Sequence, residues 1–217
     1  DKQVDYFLNY IKKNKVDYLF DVGANSGIYS LIIAQKFKDL KILSFEPIKK
    51  TYLKLKNNIL LNKNIKNIKT YNFGLSDSNT RLRLKALVRN NHVQLGGFGV
   101  LESYDKKSDF YTETALFKSA DSFMNYKNKS LCLKIDVEGH ELEVFKGGSE
   151  TLKKYKPTLL FECHHEEVLQ GDVFRFLENM GYKGFFFNRE QRVDAHDFHT
   201  IPYPKSDNHR NYIFTVN

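Results

Sequence analysis

Three short stretches of this chain bring together residue types that can do chemistry. The first is "DVGANSG", Asp21 to Gly27, where a carboxylate runs into a tight turn of small residues. Gly23 and Gly27 let the main chain bend sharply and approach a ligand without a side-chain clash. The second is Glu46 in "SFEP". It lies about 20 residues past the turn, the interval at which an acidic side chain meets ribose hydroxyls in nucleotide-binding folds. The third is "KIDVEGHE" with the later "FECHHE". These supply Asp136, Glu138, His140 and Glu141, then Glu162, His164 and His165. Such a cluster suits proton transfer: removing a proton from a weak acid takes a base near neutral pKa, and an imidazole is the natural candidate.

These residues discriminate between cofactors. A dinucleotide brings a pyrophosphate, which seeks helix amides and avoids anions. The turn reads GANSG rather than G-x-G-x-x-G, and Asp21 stands just before it. A carboxylate there repels phosphate but suits an ammonium group. S-adenosylmethionine has no phosphate; it carries an ammonium, a sulfonium and a ribose. The reading is therefore that Asp21 and the glycine turn take the amino-acid head and Glu46 takes the ribose. Plainer explanations compete for some residues. Asn25 or Ser26 would serve as a helix N-cap. Glu141 would offset a helix dipole. His165 and Glu167 read best as solvated loop.

For these stretches to share a crevice, each must end a strand of one sheet. Short apolar runs alternate with helical patterns: 17–22, 41–46, 67–73, 131–137, 158–163, 182–188 and 211–216 as strands, with helices at about 27–37 and 48–62. Further helical patterns follow the strands ending at 137 and 163. Strands buried on both faces and separated by helices predict an α/β fold with a parallel sheet covered on both sides. Ligands in such folds sit at the carboxyl ends of the strands, where the strand order reverses. Residues 76–120 break the rhythm, and the polar, glycine-containing 89–111 matches nothing regular. The expectation is one domain over 1–217 with this insertion as a lid on the site.

Composition narrows the class. The chain has 217 residues, 41% hydrophobic and 28% charged, as in ordinary soluble globular proteins. No apolar run reaches the length of a membrane span. The start is polar, without a secretory leader or an initiator Met, so the chain is processed, trimmed or cut from something longer. Cys132 and Cys163 lie in apolar runs and read as free thiols of a reducing compartment, so the expected location is cytoplasmic. Net charge is +8, but the lysines are dispersed along helical faces among asparagines, which marks solvated surface better than a nucleic-acid site.

The segments "FDVGANSGIYS", "FEP", "NFGLSDS", "SADSF" and "LKIDVEGHELEVFKGG", followed by "KPTLLFE", resemble the FkbM family of S-adenosylmethionine-dependent methyltransferases. The resemblance spans roughly Asp17 to Glu162. It implies a Rossmann-like class I methyltransferase fold: a seven-stranded, mostly parallel sheet with helices on both faces and an antiparallel last strand. It also implies O-methylation of sugar hydroxyls or natural products. One departure is Gly74, where an alanine is expected.

Residues and resemblance together give these expectations. Asp21, Gly23, Ala24, Asn25 and Gly27, with Tyr29 and Ser30, hold the methionine part of S-adenosylmethionine. Glu46 and Pro47 meet the ribose, and Leu75, Ser76 and Asp77 flank the adenine. Asp136, also at the cofactor, lines the acceptor side with Glu138 and His140. His140 is the first candidate for the base, with Glu162 and His164 as alternatives. The acceptor is a small molecule or glycan. Three rivals stand beside this reading. An amino methyltransferase would show N/D-P-P-Y/F where "IDVEGH" stands. An RNA 2′-O-ribose methyltransferase is prompted by the charge. A non-catalytic module would bind S-adenosylmethionine alone. A metal at Asp136, Glu162 and His164 lacks supporting spacing, and oligomeric state is open.

Overall fold

The strands form where β-branched, aromatic and leucine residues cluster in runs short enough to be covered on both faces. In the computed structural model, residues 2–89, 92–93, 99–101, 110–123, 126, 128–201 and 209–216 are described. Helix α1 (Lys2–Asn14) leads into β1 (Tyr18–Val22), α2 (Ile28–Lys36), β2 (Lys41–Phe45), α3 (Lys49–Leu61) and β3 (Ile68–Tyr71). An inserted region follows: β4 (Gly74–Ser76), β5 (Thr80–Arg89), the short β6 (His92–Val93) and β7 (Gly99–Val100), and β8 (Phe110–Ser119). The chain then returns through β9 (Leu131–Ile135), α4 (Glu141–Gly147), α5 (Ser149–Tyr155) and β10 (Thr158–His164). It closes with α6 (His165–Gln170), α7 (Asp172–Glu178), β11 (Lys183–Asn188), β12 (Gln191–Asp194) and β13 (His209–Thr215).

The main sheet has eight strands in the order β12-β11-β13-β10-β9-β1-β2-β3. The run from β3 to β10 is parallel, and β13 runs antiparallel between β10 and β11. The seven expected strands are present, and β12 adds an edge by folding back on β11. The order reverses between β1 and β9, which opens the crevice at their carboxyl ends.

Two aliphatic and aromatic layers cover the sheet. One is built on Phe20, Phe45, Phe145, Phe161 and Phe214, the other on Leu19, Ile33, Ile42, Leu160 and Ile213. Helix α1 was not foreseen in the polar N-terminal stretch. Its Phe7, Leu8 and Ile11 lie on one stripe at helical spacing and are buried in the second layer. Gln3 fastens that helix by donating to the carbonyls of Phe187 and Asn211. The single helical pattern after β9 is two helices, divided at Gly147–Gly148, and the pattern after β10 is divided at Gly171, where φ is 74°. Glu167 is not loop. It sits in the first turn of α6 and accepts from the backbone N–H of His164 at 2.9 Å.

The insertion is largely a second, smaller sheet. Strands β5 and β8 form an antiparallel ribbon, and β4 joins it parallel to β8. Leu84, Ala115 and Phe117 on its inner face pack with Ile48. Gly74 follows from this packing. A Cβ there would stand 2.3 Å from the Phe117 ring, so an alanine would displace the phenylalanine. Most of 89–111, part of the expected lid, lies outside the described residues.

Candidate functional site

A cleft whose empty space, open solvent at its mouth included, is about 660 Å³ lies over the carboxyl ends of β1, β2 and β9. Its floor is main chain. Gly23 adopts φ 77°, and a Cβ there would stand 1.8 Å from the Asp136 carbonyl oxygen, so only glycine lets the β1 and β9 ends meet. The N–H groups of Gly23 and Ala24 both donate to the Phe45 carbonyl, which ties the turn to β2.

Glu46 is buried on the cavity wall and each of its oxygens accepts one backbone N–H. Asn25 donates to Oε2 at 3.0 Å and Ile48 to Oε1 at 2.8 Å. Each oxygen keeps a lone pair for a ligand. Burial pushes the carboxyl up from 4.5 to about 7, against the two amides that favour its charged form. One side of the cavity is apolar, lined by Ile48, Leu75, Leu84, Val100 and Phe117, four of them from the insertion. The other side ends at Asp136 and Glu138. A paired acceptor next to an apolar slot fits an adenosine: the slot takes the base and Glu46 the two ribose hydroxyls.

The expected site residues fall into three groups. Gly23, Asn25, Glu46, Pro47, Leu75, Asp136, Glu138 and His140 line the cavity. Ala24 is buried just beneath it, and Gly27 starts α2 with its α-hydrogen against Leu55. Asp21 and Ser30 are not on the wall. Asp21 is fully buried, Ser30 Oγ donates to its Oδ2 at 2.6 Å, and that hydroxyl lies 2.7 Å from Ser44 Oγ. The Asp21 charge faces Lys134 Nζ, 3.6 Å from Oδ1, so its partner is this lysine and not a ligand ammonium. Ser76 is buried as well, and Asp77 is exposed, accepting from Ser76 and Ser78.

His140 is placed differently from expectation. Its Nε2 lies 2.9 Å from Ser76 Oγ, its Nδ1 3.7 Å from Glu143, and its ring packs edge-on against Phe117. The imidazole bridges β4 and α4 at the apolar side of the cavity. Glu141, read from sequence as dipole compensation, is buried and accepts from Val137 and Gly139 N–H at 3.0 Å each, which shapes the turn after β9.

Lys134 and His209 carried no weight in the sequence reading. Lys134 is buried in β9, donates to Asp136 Oδ2 at 3.2 Å and lies 4.9 Å from the Tyr29 ring centroid. Burial alone would lower its pKa, but Asp21 and Asp136 hold it above the ordinary value, so it is a cation. A lysine in "LCLKI", a strand buried along its whole length, is itself the signal. His209 Nε2 lies 3.1 Å from Glu162 Oε1, and nothing in the local sequence announces that pairing, because it crosses from β13 to β10.

Glu162 and Asp136 share a hydrogen bond. Burial, the charge and hydrogen bond of Asp136, and Glu138 together raise Glu162 to about 8. Glu162 therefore holds its proton near neutral pH, facing Asp136, which Lys134 contacts at 3.2 Å. His164 lies 3.4 Å from Glu138, and that hydrogen bond is the main cause that raises it to about 9. Among the described residues no group of three His, Cys, Asp or Glu is arranged to hold a metal ion, and no helix is long and apolar enough to cross a membrane.

The Glu46 geometry predicts a pH-dependent affinity. If the charged carboxylate accepts both ribose hydroxyls, binding of S-adenosylhomocysteine should tighten about tenfold from about pH 6 to pH 8. The same shift makes the ligand-free protein lose stability as pH rises from about 4.5 to 7, because the native state holds the extra proton there. Glu46→Gln should flatten the binding profile, and Glu46→Ala should weaken binding by roughly 1.5–3 kcal/mol. Calorimetry across that range checks both; a flat wild-type profile contradicts the assignment.

Comparison with known proteins bears on this geometry. The Methyltransferase FkbM domain matches residues 21–183. Methyltransferase sdnD of Sordaria araneosa is 28% identical over 204 residues, covering 83% of this chain and 78% of that protein. Methyltransferase 1 of Beauveria bassiana is 27% identical over 150 residues, covering 60% of this chain and 57% of that protein. Among solved structures, methyltransferase FkbM from Methylobacillus flagellatus aligns with a TM-score of 0.59 at 14% identity, over 93% of this chain and 44% of that one. A SAM-dependent O-methyltransferase from Thermotoga maritima aligns at 0.51 with 9% identity, over 100% of this chain and 65% of that one. The chain thus spans less than two thirds of either solved protein, and at these identities the likeness is one of fold.

Proposed function

Because this chain belongs to the FkbM methyltransferase family, we propose that it methylates a hydroxyl group, that of a sugar, a glycan or a related natural product. The methyl donor is S-adenosylmethionine, which when bound supplies an electrophilic methyl on a sulfonium. Glu46 would hold the ribose, Ile48, Leu75, Leu84 and Phe117 the adenine, and the Gly23–Asn25 turn the methionine part. Acceptor chemistry then falls to the opposite side of the cavity.

One observation carries the hydroxyl reading. The cavity ends at Asp136, a carboxyl that accepts from Lys134 at 3.2 Å and is hydrogen-bonded to Glu162. An alcohol needs such an acceptor, because its proton must leave as the methyl arrives. Asp136 would orient the hydroxyl for in-line attack and take that proton. Glu138, Glu162 and His164 around it offer further acceptors and donors to a polyhydroxyl ligand. A nucleic-acid acceptor would bring phosphates against Asp136 and Glu138, which favours a neutral acceptor despite the net charge of +8.

The test is a methyl-transfer assay against a panel of neutral sugars, oligosaccharides, aliphatic alcohols, amines, thiols and RNA. Release of S-adenosylhomocysteine is followed for each. Turnover with one or more hydroxyl compounds is expected, and turnover confined to amines, thiols or RNA overturns the reading.

A further inference from the structure

The arrangement of Asp136, Glu162 and His209 raises a question of proton balance. In hydroxyl methylation the acceptor O–H bond breaks, a C–O bond forms, and the electron pair of the C–S bond stays on sulfur. One proton is left in the cavity. Asp136 is the group at the wall, but the Asp136–Glu162 pair already holds a proton at neutral pH. A second one would neutralise both carboxyls and leave the buried Lys134 with Asp21 alone. The pair can accept a proton only if it gives one up.

We propose that His209 is the outlet: as Asp136 takes the acceptor proton, Glu162 passes the one it holds to His209, which releases it to water. The proposal rests on the hydroxyl reading above. Lys134 from β9, Asp136 and Glu138 from the turn after it, Tyr29 from α2 and His209 from β13 all face Glu162. Lys134 and the two carboxylates are committed to each other or to the cavity, and Tyr29 is a far weaker base than an imidazole. His209 Nε2 is at hydrogen-bond distance, 3.1 Å from Oε1, and its side chain is 41% exposed, so it joins the buried pair to solvent. It is held there by sheet register, because β10 and β13 place His209 opposite His164, with the two rings edge to face at 5.6 Å. His209 acts through Glu162 and does not touch the acceptor.

Two measurements test this. The first needs no acceptor. In NMR titrations of the whole protein, the His209 ring nitrogens should register the titration of Glu162 near pH 8, and Glu162→Gln should erase that step. Identical His209 titrations in wild type and Glu162→Gln overturn the proposal whatever the acceptor is. The second uses the hydroxyl compound methylated in the panel. His209→Gln should lower kcat at least about tenfold near pH 6.5 and less than about threefold near pH 9.5, where the pair is already deprotonated. Added imidazole should restore His209→Ala at the lower pH. A loss equal at all pH values, or no loss, with the melting temperature unchanged, makes His209 structural. If only amines or thiols are methylated while the coupled titration persists, the hydroxyl reading fails and the proton-sharing chain stands.

Discussion

Replacing Lys134 with methionine should lower the unfolding free energy by about 3–5 kcal/mol, the usual cost of removing one partner from a buried ion pair. Asp21 is fully buried, and among the described residues no hydrogen bond reaches its Oδ1, so Lys134 at 3.6 Å is what balances its charge. Without the lysine, Asp21 must either take up a proton or stay charged in an apolar layer. Against a total stability of about 5–15 kcal/mol the loss is large. In urea it should appear as a fall of roughly 1–2 M in the midpoint. Asp21→Asn in the same chain should recover at least about 1 kcal/mol, since the two sites are in contact. A loss below about 1 kcal/mol, or strict additivity in the double variant, would show that Lys134 does not neutralise Asp21.

Asp136→Asn should reduce kcat about 10²–10⁴-fold and leave the Kd for S-adenosylmethionine within about threefold. Asparagine keeps the shape and can still accept from Lys134, so the fold should tolerate it, but it cannot take a proton. The change also frees Glu162 from its charged neighbour, and its raised pKa should fall. Residual activity should then shift to lower pH, with Glu162 as a poorer substitute base. Unchanged kcat with an unchanged pH profile means that Asp136 orients the acceptor and another group removes the proton. The same assay with His140→Ala separates the two candidates. The hydrogen bond of His140 to Ser76 predicts a change in cofactor affinity rather than in kcat.

The parallel core was readable because its cues are local. "DYLFDVGANSG" and "KILSFEP" each hold an apolar strand, a turn and an acidic terminus within a dozen residues, and the observed β1 and β2 end where those cues stop. Glu46 and Asp136 line the cavity and were legible for the same reason: each stands at or just past a strand end. What the sequence hid depends on contacts between distant segments. Asp21 looked like a ligand contact until the lysine at 134 arrived beside it from the neighbouring strand. His140 looked like a base until β4 supplied Ser76. The lid expected in 76–120 is partly a strand ribbon whose Leu84 and Phe117 complete the apolar slot. The alternation in "TRLRLKALV" suits a strand, but nothing local says where that strand packs.

Strand β13 carries a consequence for the making of the protein. It follows β10, β11 and β12 in the sequence, yet it lies between β10 and β11 in the sheet. During synthesis the ribosome releases those two neighbours first, at about 5–20 residues per second. Until 209–215 emerges, both present raw edges to other nascent chains. Such late, long-range closure makes folding slow and leaves a window for chaperones. The residue that opens this strand is His209, so the imidazole facing Glu162 joins the sheet only when this strand does.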